Sequence, residues 1–174
     1  MPTSRTGQPV VIADPDPRWS AGFETQRARL AEVLPAGARV EHVGSTSVPG
    51  LGAKPIVDIL VGVERLADVE RCIPDLEGLG YEYVPEYEAE LPQRRFFRRD
   101  EAGARAQHLH AVEVDSDFFR NDLAFRDALR ADSNLARAYE TLKRELAGRF
   151  GRDREGYTDA KTVFVEAVLE KVRG

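Results

Sequence analysis

Between residues 41 and 63 the chain reads EHVGSTSVPGLGAKPIVDILVGV, and the residues best suited to chemistry are concentrated there. Gly44 allows the backbone to approach an anion closely, and Ser45 and Thr46 follow with hydroxyls that suit phosphate oxygens. Lys54 supplies positive charge. Asp58 stands alone in the apolar run PIVDILV, and a carboxylate there can hold a divalent cation beside a phosphate bound at the glycine. A Walker A loop is a different arrangement and does not fit. Gly52 is followed by Ala53 and Lys54, and then by Pro55 where the magnesium-binding hydroxyl belongs. Asp58 also has a purely structural reading, in which a neighbouring arginine or backbone amides compensate its burial.

Three further groups carry candidate residues. In QHLHAVEV, strand alternation puts His108 and His110 on one face and Leu109, Ala111 and Glu113 on the other. With Asp58 the two imidazoles would form a one-metal site better matched to zinc or manganese than to magnesium. The competing reading has one imidazole packed at the sheet edge and the other hydrogen-bonded to Asp58 or substrate. RRFFRR is either a charged sheet edge or a phosphate contact, with Arg95 and Arg98 as the candidates and phenylalanine available to stack on a base. In YTDAKTVFVEAVLEKVR, Lys161, Phe164, Val168 and Val172 share a helical stripe. A cap at Thr158 or Asp159 would put Lys161 in the first turn, where the helix dipole disfavours a cation, so an anion nearby would explain it. The competing reading is a lysine whose stem covers the core. Tyr157 is a candidate for base stacking or a hydroxyl contact. A histidine hydrolase of the H-x-H-x-H type would need a histidine where Val112 stands, and His42 is as readily a packing residue.

The glycine–serine pair, the hydroxyls and the single aspartate on the next strand resemble the phosphate loop of polymerase-beta-like nucleotidyltransferases. The wider run of motifs (DPDPRW, EHVGSTSVPGLGAKPIVDILVGV, RRFFRR, QHLHAVEV, LAFRDALRADSNLARAYETLKRELA and YTDAKTVFVEAVL) resembles the GrpB, or glutamate-rich protein B, family of that superfamily. The resemblance implies an α+β nucleotidyltransferase fold: a mixed sheet with helices on one face and a C-terminal helical segment. It implies a nucleotidyl group moved from a nucleoside triphosphate to a small acceptor with a divalent metal, magnesium or manganese. Asp58 would hold the metal, joined by His108 and His110. Gly44, Ser45 and Thr46 would bind phosphates, with Lys54 and Lys161 neutralising charge in the transition state. The superfamily usually carries D-x-[DE] on this strand, and here Leu60 occupies the second position. The alternative is therefore a catalytically degenerate protein of the same fold that binds a nucleotide or phosphorylated metabolite.

These residues must be positioned by regular elements. The pattern predicts a short strand at VVIAD, then a helix through Trp19, Phe23, Leu30, Val33 and Leu34, opened by Asp16 and Pro17. Strands follow at ARVEHV and KPIVDILVGV, the latter apolar on both sides and so central. A helix split by Pro74, strands at YEYV, RRFFRR and AQHLHAVEV, and three helices from Ser116 onward complete the chain. One domain is expected, with an α/β core over about 1–115 and helices over about 116–174. The first nine residues are expected to be loose. The 174 residues are 42% hydrophobic, enough for a real core. A net charge of −5 argues against a broad nucleic-acid partner. One cysteine, Cys72, excludes an intrachain disulfide and a cysteine-zinc cluster. No leader or membrane-spanning run is read, so a cytoplasmic location is expected.

Overall fold

The computed structural model describes residues 9–174, so the expectation for the first eight residues lies outside it. Helix α1 covers Arg18–Ala31. Asp16 accepts a hydrogen bond from the Arg18 amide at 2.9 Å, which caps the helix as its position suggests. Strand β1 (Arg39–Val43) leads into a 3₁₀ turn at Ser45–Ser47, and β2 follows at Val57–Val63. Helices α2 (Leu66–Glu70) and α3 (Ile73–Gly78) are separate, with Pro74 in the first turn of α3, where its missing N–H costs nothing. Strand β3 is short, Glu82–Tyr83, and a 3₁₀ turn at Pro85–Ala89 occupies much of the expected loop. Strands β4 (Arg95–Glu101) and β5 (Ala104–Glu113) form a hairpin. Helices α4 (Asp117–Ala131), α5 (Ser133–Phe150) and α6 (Arg154–Arg173) complete the chain.

The sheet order is β1-β2-β5-β4-β3, with β2 and β5 parallel and the other neighbours antiparallel. The mixed α+β architecture is the one expected, and β2 is interior. Alternation along β2 sorts its residues cleanly. Val57, Ile59, Val61 and Val63 join Leu109, Ala111 and Phe97 in a core shared with Phe23 and Leu30 of α1, Val69 of α2 and Leu76 of α3. The opposite face carries Asp58, then Leu60, which packs with Val43, Val112 and Phe119 of α4. Gly62 makes room for that ring, since a Cβ there would stand 2.5 Å from Phe119 Cε2.

Two sequence expectations need correction. VVIAD forms no strand; Ala13 makes an isolated bridge with Ala53 and the Val10 amide donates to the Gly151 carbonyl. Helix α6 begins at Arg154, capped by Asp153, whose side chain accepts from the Gly156 amide. Thr158 and Asp159 therefore lie inside the helix. The Asp153 cap competes better because its carboxylate already satisfies a first-turn amide, and the residues after it hold no proline to delay the start.

Candidate functional site

The site is built where β1 ends. Gly44 has φ 72° and ψ −178°, a conformation that is essentially open only to glycine. A Cβ here would come 2.5 Å from Asp58 Oδ2, so the carboxylate lies directly against the turn. The pairing of Val43 with Asp58 across β1 and β2 fixes that approach. Ser47 secures the turn by donating from Oγ to the Gly44 carbonyl at 2.5 Å, and the Thr46 hydroxyl meets His42 Nε2 at 2.9 Å. His42 is a packing residue, buried and stacked on Phe23 at 4.7 Å, and burial pushes its pKa down to about 4.

A cavity of about 340 Å³ opens over the turn. It is lined by Gly44, Ser45, Thr46, Lys54, Asp58, His108, His110, Tyr157 and Lys161, together with Tyr139, Lys143 and Thr158. Nine of the eleven residues singled out from sequence thus meet in one place. Lys54 reaches it from the loop before β2, which starts only at Val57. Lys161 sits two turns into α6, so its inward direction follows from the stripe and not from a helix end. Phe164 and Val168 of that stripe pack inward, while Val172 is 51% exposed near the chain end. Lys54 and Lys161 place their Nζ atoms 5.5 and 4.7 Å from the Tyr157 ring centre.

The two arginines are held elsewhere. Arg95 lies on the sheet face toward α2, where it binds Glu70 and the Pro92 carbonyl. Arg98 pairs across the strands with His108, but its guanidinium is taken by both oxygens of Glu82. Arg94, the first residue of the same run, is the one that reaches the site. Its Nη1 donates to His110 Nδ1 at 3.2 Å.

Lys143 and Tyr139 of α5 were not foreseen. Lys143 is 2% exposed and donates to Ser45 Oγ at 2.8 Å and to the Gly52 carbonyl at 2.6 Å. A signal for it was present: Ala136, Tyr139, Lys143 and Leu146 form a buried stripe spaced by three, four and three, the pattern that flags Lys161. Asp122 of α4 also went unnoticed. It lies within electrostatic reach of His110, Asp58 and Arg94, and burial pushes its carboxyl up to about 6.

The electrostatics divide the cavity. On one side burial pushes Lys143 down to about 7, with Lys161 and Lys54 adding repulsion. Burial likewise lowers Lys161 to about 8 and lowers Lys54. On the other side burial works to raise Asp58, but the His110 hydrogen bond, then the neighbouring His108 and His110 rings and Lys54, outweigh it and hold the carboxyl below its ordinary value. His110 Nε2 lies 3.4 Å from Asp58 Oδ1, and His108 Nδ1 lies 3.7 Å from the same oxygen. Burial pushes His108 down to about 4. Among the described residues no group of three or more histidine, cysteine, aspartate or glutamate side chains is arranged to hold a metal ion. The side chains offer one partly exposed carboxylate and a lysine-rich wall, which together suit a phosphate chain better than a protein-only metal cage.

Comparison with known proteins agrees with the fold. The crystal structure of the conserved protein GrpB from Enterococcus faecalis superimposes with a TM-score of 0.82 at 34% identity, covering 93% of this chain and 96% of that one. The Cid1 poly(U) polymerase bound to MgATP superimposes with a TM-score of 0.55 at 14% identity, over 79% of this chain and 45% of that one, a likeness of fold alone. A UPF0157 protein of Streptomyces coelicolor is 38% identical over 93% of this chain and 83% of its own length. The family model described as GrpB protein matches residues 9–171, so the turn at Gly44, the Asp58 strand and the lysine-bearing helices all fall within the match, and the chain belongs to the GrpB family.

Proposed function

We propose that the cavity binds the phosphates of a nucleoside triphosphate and that the protein transfers a nucleotidyl group from it to a small acceptor, the α–β phosphoanhydride bond breaking and pyrophosphate leaving. The observation that carries this reading is the convergence of Lys54, Lys143 and Lys161, from three separate segments, on the Gly44–Thr46 turn opposite one carboxylate. Three desolvated ammonium groups repel one another, and a polyanion between them removes that cost. In this reading the lysines hold the phosphate oxygens and stabilise the charge that develops on them. Ser45 and the turn amides orient the same group, while Tyr157 and Tyr139 close the cavity wall and exclude water.

A magnesium or manganese ion fits this site in one form. Magnesium retains water and is commonly held by one or two carboxylates plus substrate phosphates. Asp58 is the carboxylate for it, and when bound the cation would neutralise phosphate charge. A cage made of protein ligands alone is not supported, because His108 and His110 add two nitrogens to a single acid.

A second reading, a binder that does not turn its ligand over, draws on one observation. Leu60, where a second acid would stand, is fully buried under α4 among Val43, Val112 and Phe119. One experiment separates the two. Nucleotide affinity is measured by titration calorimetry with magnesium and with manganese, for the wild type and for Asp58→Asn, alongside nucleotide consumption over a panel of small hydroxyl, amine and carboxylate acceptors. Metal-dependent binding lost in a folded Asp58→Asn variant, with turnover in the wild type, supports transfer. Binding without turnover supports the second reading. A wild type that ignores nucleotides while Asp58→Asn unfolds makes Asp58 structural and overturns both.

A further inference from the structure

Asp58 is the one acid among the described residues that line the cavity, and what controls the direction of its carboxylate is a chain of two contacts behind it. Arg94 Nη1 meets His110 Nδ1 at 3.2 Å, and His110 Nε2 meets Asp58 Oδ1 at 3.4 Å. A guanidinium has only donors, so the imidazole nitrogen it faces must be the one without a proton. The proton then sits on Nε2, where it points at the carboxylate. Neither nitrogen is left with a lone pair for a cation: Nδ1 accepts from Arg94 and Nε2 carries hydrogen. The surroundings hold this order in place. The Arg94 guanidinium lies 5.1 Å from the Phe96 ring centre, and the same ring packs against both His110 and His108 at 5.3 Å. Arg94 Nε is buried without a hydrogen-bond partner among the described residues.

We infer that Arg94 is a positioning residue that fixes His110 as the Nε2–H tautomer, so that His110 orients the Asp58 carboxylate as a hydrogen-bond donor and does not ligate a metal. The inference rests on the proposed nucleotide site for its consequence, but the tautomer itself can be read without any ligand. It also gives the site's two histidines different duties: His108, whose Nδ1 is 3.7 Å from Asp58, is outside the relay.

The test is a long-range proton–nitrogen NMR spectrum of the uniformly ¹⁵N-labelled full chain, which contains three histidines, with His110→Gln used to assign the signals. The wild type is expected to show His110 with a protonated Nε2 and an unprotonated Nδ1. Arg94→Met should mix or reverse the tautomer, and Arg94→Lys, which keeps a donor, should restore it. Affinity for magnesium ATP should fall about tenfold in Arg94→Met, the worth of one positioning hydrogen bond. A wild-type spectrum with the proton on Nδ1, a spectrum or affinity unchanged by Arg94→Met, or zinc displacing the Nε2 proton in the wild type would each overturn the inference. If Arg94→Met does not fold, the wild-type spectrum and the zinc titration still decide. If the wild type binds no nucleotide, the proposed function falls, while the tautomer still judges the relay.

Discussion

The lysines of the cavity are expected to make ligand binding a proton-uptake process. Lys143 and Lys161 lie at about 7 and about 8 in the free protein because burial and mutual repulsion disfavour their charged forms. The groups facing them are Lys54, Glu140, Arg144 and Asp58. A phosphate anion raises both lysines, so binding draws protons from solution between the free and bound values. Affinity should be level with respect to these groups below about pH 7 and fall above it, by about tenfold per pH unit for each proton taken up. Calorimetry in buffers of contrasting ionisation enthalpy reads the uptake directly, and proton release on binding would contradict this account. The same shift bears on stability with a definite sign. Between the folded values and the ordinary lysine value near 10.5 the unfolded chain binds more protons, so this contribution to stability rises as pH increases through that window.

At the level of single elements, what could be read from the sequence followed a simple division. The turn at Gly44 and the acid at Asp58 were legible because both lie within one β-turn-β segment, where the glycine requirement and strand alternation fix direction without help from the rest of the chain. Pro74 was legible for the same reason: a missing donor acts on its immediate neighbours. Asp132 accepts from the amides of Asn134 and Leu135 at 2.9 and 3.1 Å. Asp132→Ala should therefore lower stability by about 1 kcal/mol through loss of the α5 cap. For a chain of this size that corresponds to a fall in melting temperature of about 2–4 °C, measurable by thermal denaturation. Arg95 and Arg98 illustrate the opposite case. Which member of an arginine run reaches a cleft depends on where the competing acids fall, and Glu70 and Glu82 come from other elements. Lys143 was missed although its stripe was visible, because its partner Ser45 is 98 residues away and no local rule connects them.

For the molecule as a whole, the β-sheet core and the C-terminal helices are joined through the site. Gly52 is the tightest of these joints. Its amide donates to Glu140 Oε1 at 2.9 Å, its carbonyl accepts from Lys143, and a Cβ would overlap the Glu140 side chain and lie 2.9 Å from the Ala13 carbonyl oxygen. Ala13 itself is bridged to Ala53. Gly52→Ala should cost about 1–3 kcal/mol by overpacking. Because both halves meet there, we expect a single unfolding transition shifted to lower temperature, together with weaker nucleotide binding. Two resolved transitions would instead mean that the parts over about 1–115 and 116–174 fold separately. Lys143 also ties Ser45 to Gly52, grasping both ends of one short excursion of the chain with a single ammonium group. The excursion between them thus has a set length, since a residue gained or lost among Val48, Pro49, Gly50 and Leu51 would pull one end off the lysine. The hairpin tip at Ala102 and Gly103 is exposed, with open space around Gly103, and lies beyond the Asp100–Arg105 ion pair, so it is there and not beside the site that the chain is free to lengthen over evolutionary time.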